Sequence, residues 1–413
     1  MLNYGSFLLG VIKMKYPGEP LNILHTIGLK ELYPIIRISF TVKGNFDVNR
    51  FKQAIMLTEK VVPELFCKYS LTDNSFIPVT DDLEGVLFIG IDPDIDSERW
   101  DLFADPQLRI YLNHNRVTIY LSHILTDGAG GKQFLYLLAK AYNEGVVDNC
   151  QNHQDIDWLR KLLAEHPVKV DHRVDHPTQP LSLPKLADDD QQSRRTLAIN
   201  LTPAEGKELI KAAHHEKVTL NDLFMAAFGQ AIQRYSDANS ISLACPTDMR
   251  QFIPKKGQLR IANHTSRYNI SVRSKLSAPF EKLVWSIHQA MQENKDNFQC
   301  FQSVKSLIDN YDKYSLSELQ QTVEDNYHVR NISYTNFGII DDHQFHFNGC
   351  SIEDFYMLGT YRRYPMFQVA VSTYRNRITF AFAMVGTDQE ERFGRAIMMT
   401  MVDLLRNYTE KFG

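Results

Sequence analysis

An α/β protein with mixed sheets in two lobes is the fold class this sequence predicts, and three observations carry that expectation. Alternating apolar segments of strand length interleave with segments whose apolar residues recur every three or four positions. The chain has 413 residues, 44% hydrophobic and 23% charged, enough for a large interior and more than one core ordinarily holds. Near its middle, from about Val168 to Arg194, the prolines Pro177, Pro180 and Pro184 and the run Asp188-Asp189-Asp190 break the periodicity. The expected division is residues 1–170 as an N-terminal lobe, 171–194 as a linker and 195–413 as a C-terminal lobe.

Taken in order, the apolar run Phe7 to Ile12 is too short to span a bilayer and lacks a preceding Lys or Arg, so it reads as part of the mature fold. A strand over Ile36 to Lys43 precedes a helix between Asp47 and Val62, whose face is Phe51, Ala54, Ile55, Thr58 and Val62. Between Arg116 and Ser122, Val117, Ile119 and Leu121 alternate with Thr118, Tyr120 and Ser122, as in a half-buried strand, and His123 continues the apolar side. Phe134, Leu137, Leu138 and Ala141 return to helical spacing, which makes Gly128 to Gly131 a strand-to-helix junction open to close approach by a ligand. In the second half, a strand near Leu197 to Leu201 leads to a helix opened by Pro203. Thr219 caps the next, with Leu220, Phe224, Ala227, Ile232 and Tyr235 as its stripe. Thr387 and Asp388 with Glu390 and Glu391 announce a final helix whose stripe, Phe393, Ile397, Met401, Leu404 and Leu405, is expected to pack on a sheet.

The segment Ser122-His123-Ile124-Leu125-Thr126-Asp127-Gly128 holds the most chemistry. An imidazole with an ordinary pKa of about 6.5 can take a proton from a hydroxyl or amine near neutral pH. The same spacing equally suits a core histidine followed by an Asp-Gly turn or helix cap.

His123, Asp127 and Gly128 resemble the His-His-x-x-x-Asp-Gly motif of the chloramphenicol acetyltransferase-like superfamily, which includes alcohol acetyltransferases and the condensation domains of nonribosomal peptide synthetases. Ser122 stands where the first histidine is usual. Neighbouring strand residues face opposite sides, so the change at 122 leaves the base at 123 in place. The resemblance extends to Cys245-Pro246-Thr247-Asp248-Met249-Arg250, to Ile261-Ala262-Asn263-His264, to Tyr334-Thr335-Asn336-Phe337-Gly338, and to the closing hairpin Gln368 to Thr373 with Arg377 to Val385. The Asp-Phe-Gly-Trp-Gly sequence of the plant acyltransferase branch is missing.

The resemblance implies two chloramphenicol acetyltransferase-like lobes in a V, with substrate tunnels meeting at His123. It implies acyl transfer from a thioester, acetyl-CoA or another acyl-CoA, to an alcohol or amine, with His123 as general base and no covalent acyl-enzyme. It also makes Arg250 the ion-pair partner of Asp127, and places Asn336, Ser372 and Thr373 on cleft strands from which each can donate a hydrogen bond to an oxyanion. Taken singly, each of these also reads as an ordinary strand residue.

Lys255, Lys256 and Arg260 suit the phosphates of CoA or of a phosphopantetheine arm, as does the pair Arg362 and Arg363, and all suit a solvated charged loop as well. Lys132 is followed by Gln133, so the glycine run is no phosphate-binding nucleotide loop. No metal is expected: His172 and His176 lie in the proline-rich linker, and His343, His346 and Cys350 lack a full ligand set. No bound cofactor is expected either, the thioester being a co-substrate. A net charge of −4 gives no reason to expect nucleic acid, and five scattered cysteines suit a reducing cytosol. A monomer is expected, since both walls of the site come from one chain. Two other functions stay open: a free-standing condensation enzyme with a carrier-protein-bound donor, and a noncatalytic binding or scaffold protein of the same fold.

Overall fold

The computed structural model describes residues 14–168, 176–186, 191–254 and 257–413. The Phe7 to Ile12 run, His172 and the pair Lys255 and Lys256 lie outside the described residues. Two hydrophobic cores form, each built around its own sheets. The first gathers Ile38, Phe40, Phe51, Val117, Ile119, Leu121 and Phe134, and the second Leu209, Phe224, Phe228, Ile270, Val369, Phe380 and Met401.

The first core is backed by a five-stranded sheet in the order Cys350–Leu358, Ile35–Gly44, Arg116–Ser122, Leu108–Asn113 and Leu87–Ile89. The helix Val48–Val61, capped by Asp47 through the N–H groups of Asn49 and Arg50, buries the expected face of Phe51, Ala54, Ile55 and Thr58. Arg116–Ser122 lies between two neighbours and is buried on both faces, not one: Thr118, Tyr120 and Ser122 are as enclosed as Val117, Ile119 and Leu121. The polar side is tolerated because it is bonded; the Tyr120 hydroxyl accepts from Arg37 at 2.9 Å.

In the second lobe, Ile332–Ile340 runs parallel to Phe367–Tyr374, which forms an antiparallel hairpin with Arg377–Gly386. Ser193–Leu201 pairs with the far edge of Arg377–Gly386. A second ribbon pairs Ser240–Asp248 with Thr265–Arg273. The helix Leu220–Gln233, with Thr219 as its cap, is buried on every side from Asp222 onward, so it is a core element and not the one-striped helix expected. Tyr235 lies beyond its end and is exposed. The final helix, Asp388–Phe412, packs on the helices Pro203–His215 and Leu220–Gln233 as well as on the sheet.

The lobes are not contiguous in the chain. Cys350–Leu358, from the second half, pairs antiparallel with Ile35–Gly44 and covers an edge that would otherwise expose unpaired main-chain groups. Conversely, Leu21, Ile23, Leu24, Leu159 and Leu163 pack into the second core. Of the linker, residues 176–186 are described; Leu181 and Leu183 are buried there, and the Pro184 carbonyl accepts the Tyr364 hydroxyl at 2.7 Å.

Candidate active site

His123 begins where the strand Arg116–Ser122 ends. Its N–H donates to the Pro34 carbonyl at 2.7 Å, and its own carbonyl accepts from Asn263 Nδ2 at 2.9 Å. Ser122, the residue before it, is fully buried, and its hydroxyl accepts the Ile124 N–H at 3.2 Å. The serine therefore fixes the turn that follows the strand.

The His123 ring lines a cavity of about 220 Å³ whose walls include His25, Lys132, Thr247, Asn336 and Arg362. His25 stacks on His123 with ring centroids 3.7 Å apart and planes 15° from parallel. Asn263 Nδ2 lies 2.9 Å from His25 Nδ1, so one amide ties together the backbone of one histidine and the ring of the other. Burial holds His123 below the ordinary histidine range, against the opposing pull of nearby main-chain groups and the Asp127 charge. Burial, and then the proximity of His123, holds His25 well below that range. Both rings are neutral at neutral pH, the form in which an imidazole accepts a proton.

Asp127 has two structural tasks. Its Oδ1 accepts the Gly130 N–H at 2.8 Å, capping the helix Gly128–Glu144. Its Oδ2 accepts the His264 N–H at 2.7 Å and Arg250 Nη1 at 2.9 Å. The turn reading and the ion-pair reading thus describe the same carboxylate. Arg250 is no surface residue, its side chain being 8% exposed. It also donates to Asp248, Arg260 and Ala262, the last two through their carbonyls. Burial would raise the Asp127 pKa, but the guanidinium and the main-chain donors hold it below the ordinary carboxylate value.

The glycine junction serves protein packing more than ligand approach. A Cβ at Gly128 would lie 2.5 Å from the Phe337 ring, and one at Gly130 would strike the Thr126 hydroxyl and lie 2.9 Å from the Ala262 carbonyl. Gly130→Ala is therefore expected to lose about 1–3 kcal/mol of stability by displacing the loop that holds Asp127. Equilibrium urea unfolding measures this; an unchanged midpoint would show that the junction has slack.

Of the proposed oxyanion donors, Asn336 lines the cavity. Its amide is engaged: Nδ2 donates to Asn221 at 3.1 Å, and Oδ1 accepts the Gly338 N–H at 2.8 Å. Ser372 and Thr373 are not among the lining residues. Ser372 is buried with its hydroxyl accepting from Met357 N–H at 3.3 Å, and Thr373 pairs in register with Ile339 and Ile378. Arg260 departs from its phosphate assignment as well: it is buried and donates to the Asp155 carbonyl at 3.0 Å and to Gln258 at 3.1 Å. Arg363 is exposed and bonded to Gln192. His176 bonds to the Asp325 carbonyl and stacks on His328. Among the described residues no group of three or more His, Cys, Asp or Glu gathers to hold a metal, and no helix is long and apolar enough to cross a membrane.

Motif reading missed His25, Lys132 and the bridging amide of Asn263. His25 sits in a short helical turn, Pro20–His25, with no motif beside it in sequence. Asn263 lies inside a recognised segment, which marked its place but not its two partners.

Three histidines, the half-buried His25 and His123 and the buried His264, stay neutral in the folded chain. His264 is drawn down to about 3, chiefly through burial and then through Arg250. In the unfolded chain each takes up a proton near 6.5, so the unfolded state binds more protons as pH falls below that value. Stability is therefore expected to decline between pH ~6.5 and ~3. Melting temperature measured across that window checks this; a flat curve would contradict it.

A search among curated proteins finds no match. Among solved structures, the chain superposes on polyketide synthase associated protein 5 from Mycobacterium tuberculosis with a TM-score of 0.66 and 14% identity, covering 97% of this chain and 99% of that one. It matches a trichothecene 15-O-acetyltransferase from Fusarium sporotrichioides with a TM-score of 0.66 and 14% identity over 95% of each chain. The epimerization domain from the third module of tyrocidine synthetase B matches at a TM-score of 0.63 and 14% identity, over 97% of this chain and 98% of that one. These likenesses establish the two-lobed chloramphenicol acetyltransferase-like fold. The sequence model of the condensation domain matches residues 94–323, more than half of the chain and including His123, Asp127 and Arg250, so the chain belongs to the condensation-domain family.

Proposed function

We propose that the protein transfers an acyl group from a pantetheine thioester to an alcohol or amine, with Nε2 of His123 as the general base. The observation that carries this is a neutral, half-buried imidazole at the wall of a cavity, stacked on His25 and held by a loop that the Asp127–Arg250 pair locks. In the reaction, Nε2 takes the proton from the acceptor as its oxygen or nitrogen forms a bond to the thioester carbonyl carbon. The carbon–sulfur bond then breaks and the proton passes from the imidazolium to the departing thiolate. Asp127 takes no proton; its oxygens are occupied by Arg250, His264 and Gly130. Positioned acid–base catalysis supplies roughly 10²- to 10⁴-fold, and alignment of two substrates in one cavity must supply much of the rest.

Acyl-CoA is the donor first expected, in a cytosolic setting. A donor held on a carrier protein is the second reading, favoured by the condensation-domain match. Incubation with matched acyl-CoA and acyl-carrier donors and pooled alcohols and amines, followed by mass spectrometry of the products, separates the two. A new ester or amide from either donor supports the reading, and none from both would remove it. Because burial lowers the His123 pKa, the acid limb of kcat/KM is expected below pH 6.5. A limb at or above that value would point to a different base.

A further inference from the structure

Another part of the same cavity wall carries Leu32, Gly359, Thr360, Arg362 and Gln368. Arg362 is 7% exposed. Its Nη1 donates to the Arg330 carbonyl at 2.8 Å, while its Nε is buried with no hydrogen-bond partner among the described residues. Burial draws its pKa down to about 10, which leaves it charged at neutral pH, and among the described residues no carboxylate offsets that burial. The two acids that line the cavity, Asp127 and Asp248, are both bound by Arg250. Arg267 and Arg330 line the same cavity. A buried cation is costly without a counter-charge, and the described residues supply none to Arg362 at this cavity surface.

We propose that Arg362 receives a carboxylate on the acceptor, so that the substrate class is a small hydroxy or amino compound bearing a free acid. This rests on the acyl-transfer reading and specifies its substrate. The planar guanidinium fork matches a carboxylate geometrically, and the pairing supplies the missing counter-charge. Position favours a carboxylate on a small molecule over the phosphate of a pantetheine arm. Arg362 forms a main-chain bridge to Leu32, and two residues on, the Pro34 carbonyl accepts the His123 N–H. Arginine and base thus border one short segment, whereas the pantetheine phosphate lies a full arm away from the thioester sulfur.

Calorimetric titration of the full chain with lactate, mandelate and N-acetyltyrosine, each beside its methyl ester, tests this without turnover. At least one acid is expected to bind wild type roughly tenfold or more tightly than its ester, a difference that Arg362→Met erases and His123→Ala keeps. The wild-type ratio of acid to ester stands even if Arg362→Met fails to fold. Equal binding of acid and ester throughout, or no binding of any acid, would overturn the proposal. So would a loss confined to coenzyme A binding in Arg362→Met. Absence of thiol release from every donor, with the acid preference intact, would remove the acyl-transfer reading and leave the carboxylate site standing.

Discussion

His123→Ala is expected to lower kcat/KM by about 10² to 10⁴-fold or more while the chain keeps its fold. The ring lines a cavity, and its main-chain bonds to Pro34 and Asn263 do not depend on the side chain. Alanine removes the base and one face of the His25 stack but leaves the Asp127–Arg250 pair, the helix cap and both cores intact. A variant with wild-type turnover would assign the proton transfer elsewhere, with His25 the next imidazole to test. A variant that failed to fold would instead make the stacked pair a structural element.

Asp127→Ala is expected to cost about 3–5 kcal/mol in stability, together with activity. The loss follows from what remains behind: Arg250 stays buried with the half-exposed Asp248 as its one remaining carboxylate among the described residues, while the N–H groups of Gly130 and His264 lose their acceptor. Arg250→Ala should act in the same direction, because it leaves Asp127 buried without its counter-charge. The double variant should be less damaging than the sum of the two single variants, since the second change removes a charge the first one stranded. Denaturant midpoints for the three variants measure this. An Asp127→Ala variant as stable as wild type would show that the pair does not lock the loop.

Local chemistry was the most legible part of the sequence. The strand Arg116–Ser122 has the bounds its alternation predicted, and Thr219 and Thr387 cap the helices they announced, each with its capping box closed. Such signals are complete within a few residues. What could not be read depends on residues distant in sequence. Nothing near His25 marks it as the stacking partner of His123, and nothing in Cys350–Leu358 says that it crosses to the first sheet. Ser372 and Thr373 lie on the strand Phe367–Tyr374, but adjacent strand residues face opposite ways. The Ser372 side is closed by the Met357 main chain. Ser122, at the place where the motif has its first histidine, is buried and its hydroxyl accepts the Ile124 N–H in the turn that follows the strand. Arg260 illustrates the opposite error, a charge in a polar loop that proves to be buried and bonded to Asp155.

Acceptor-dependent thiol release, followed in parallel for wild type and His123→Ala with acyl-CoA and acyl-carrier donors, tests the central claim most directly. Release that requires an alcohol or amine acceptor and is lost in His123→Ala is the predicted result. Release that persists at the wild-type rate in His123→Ala, or no release from either class of donor, would contradict it.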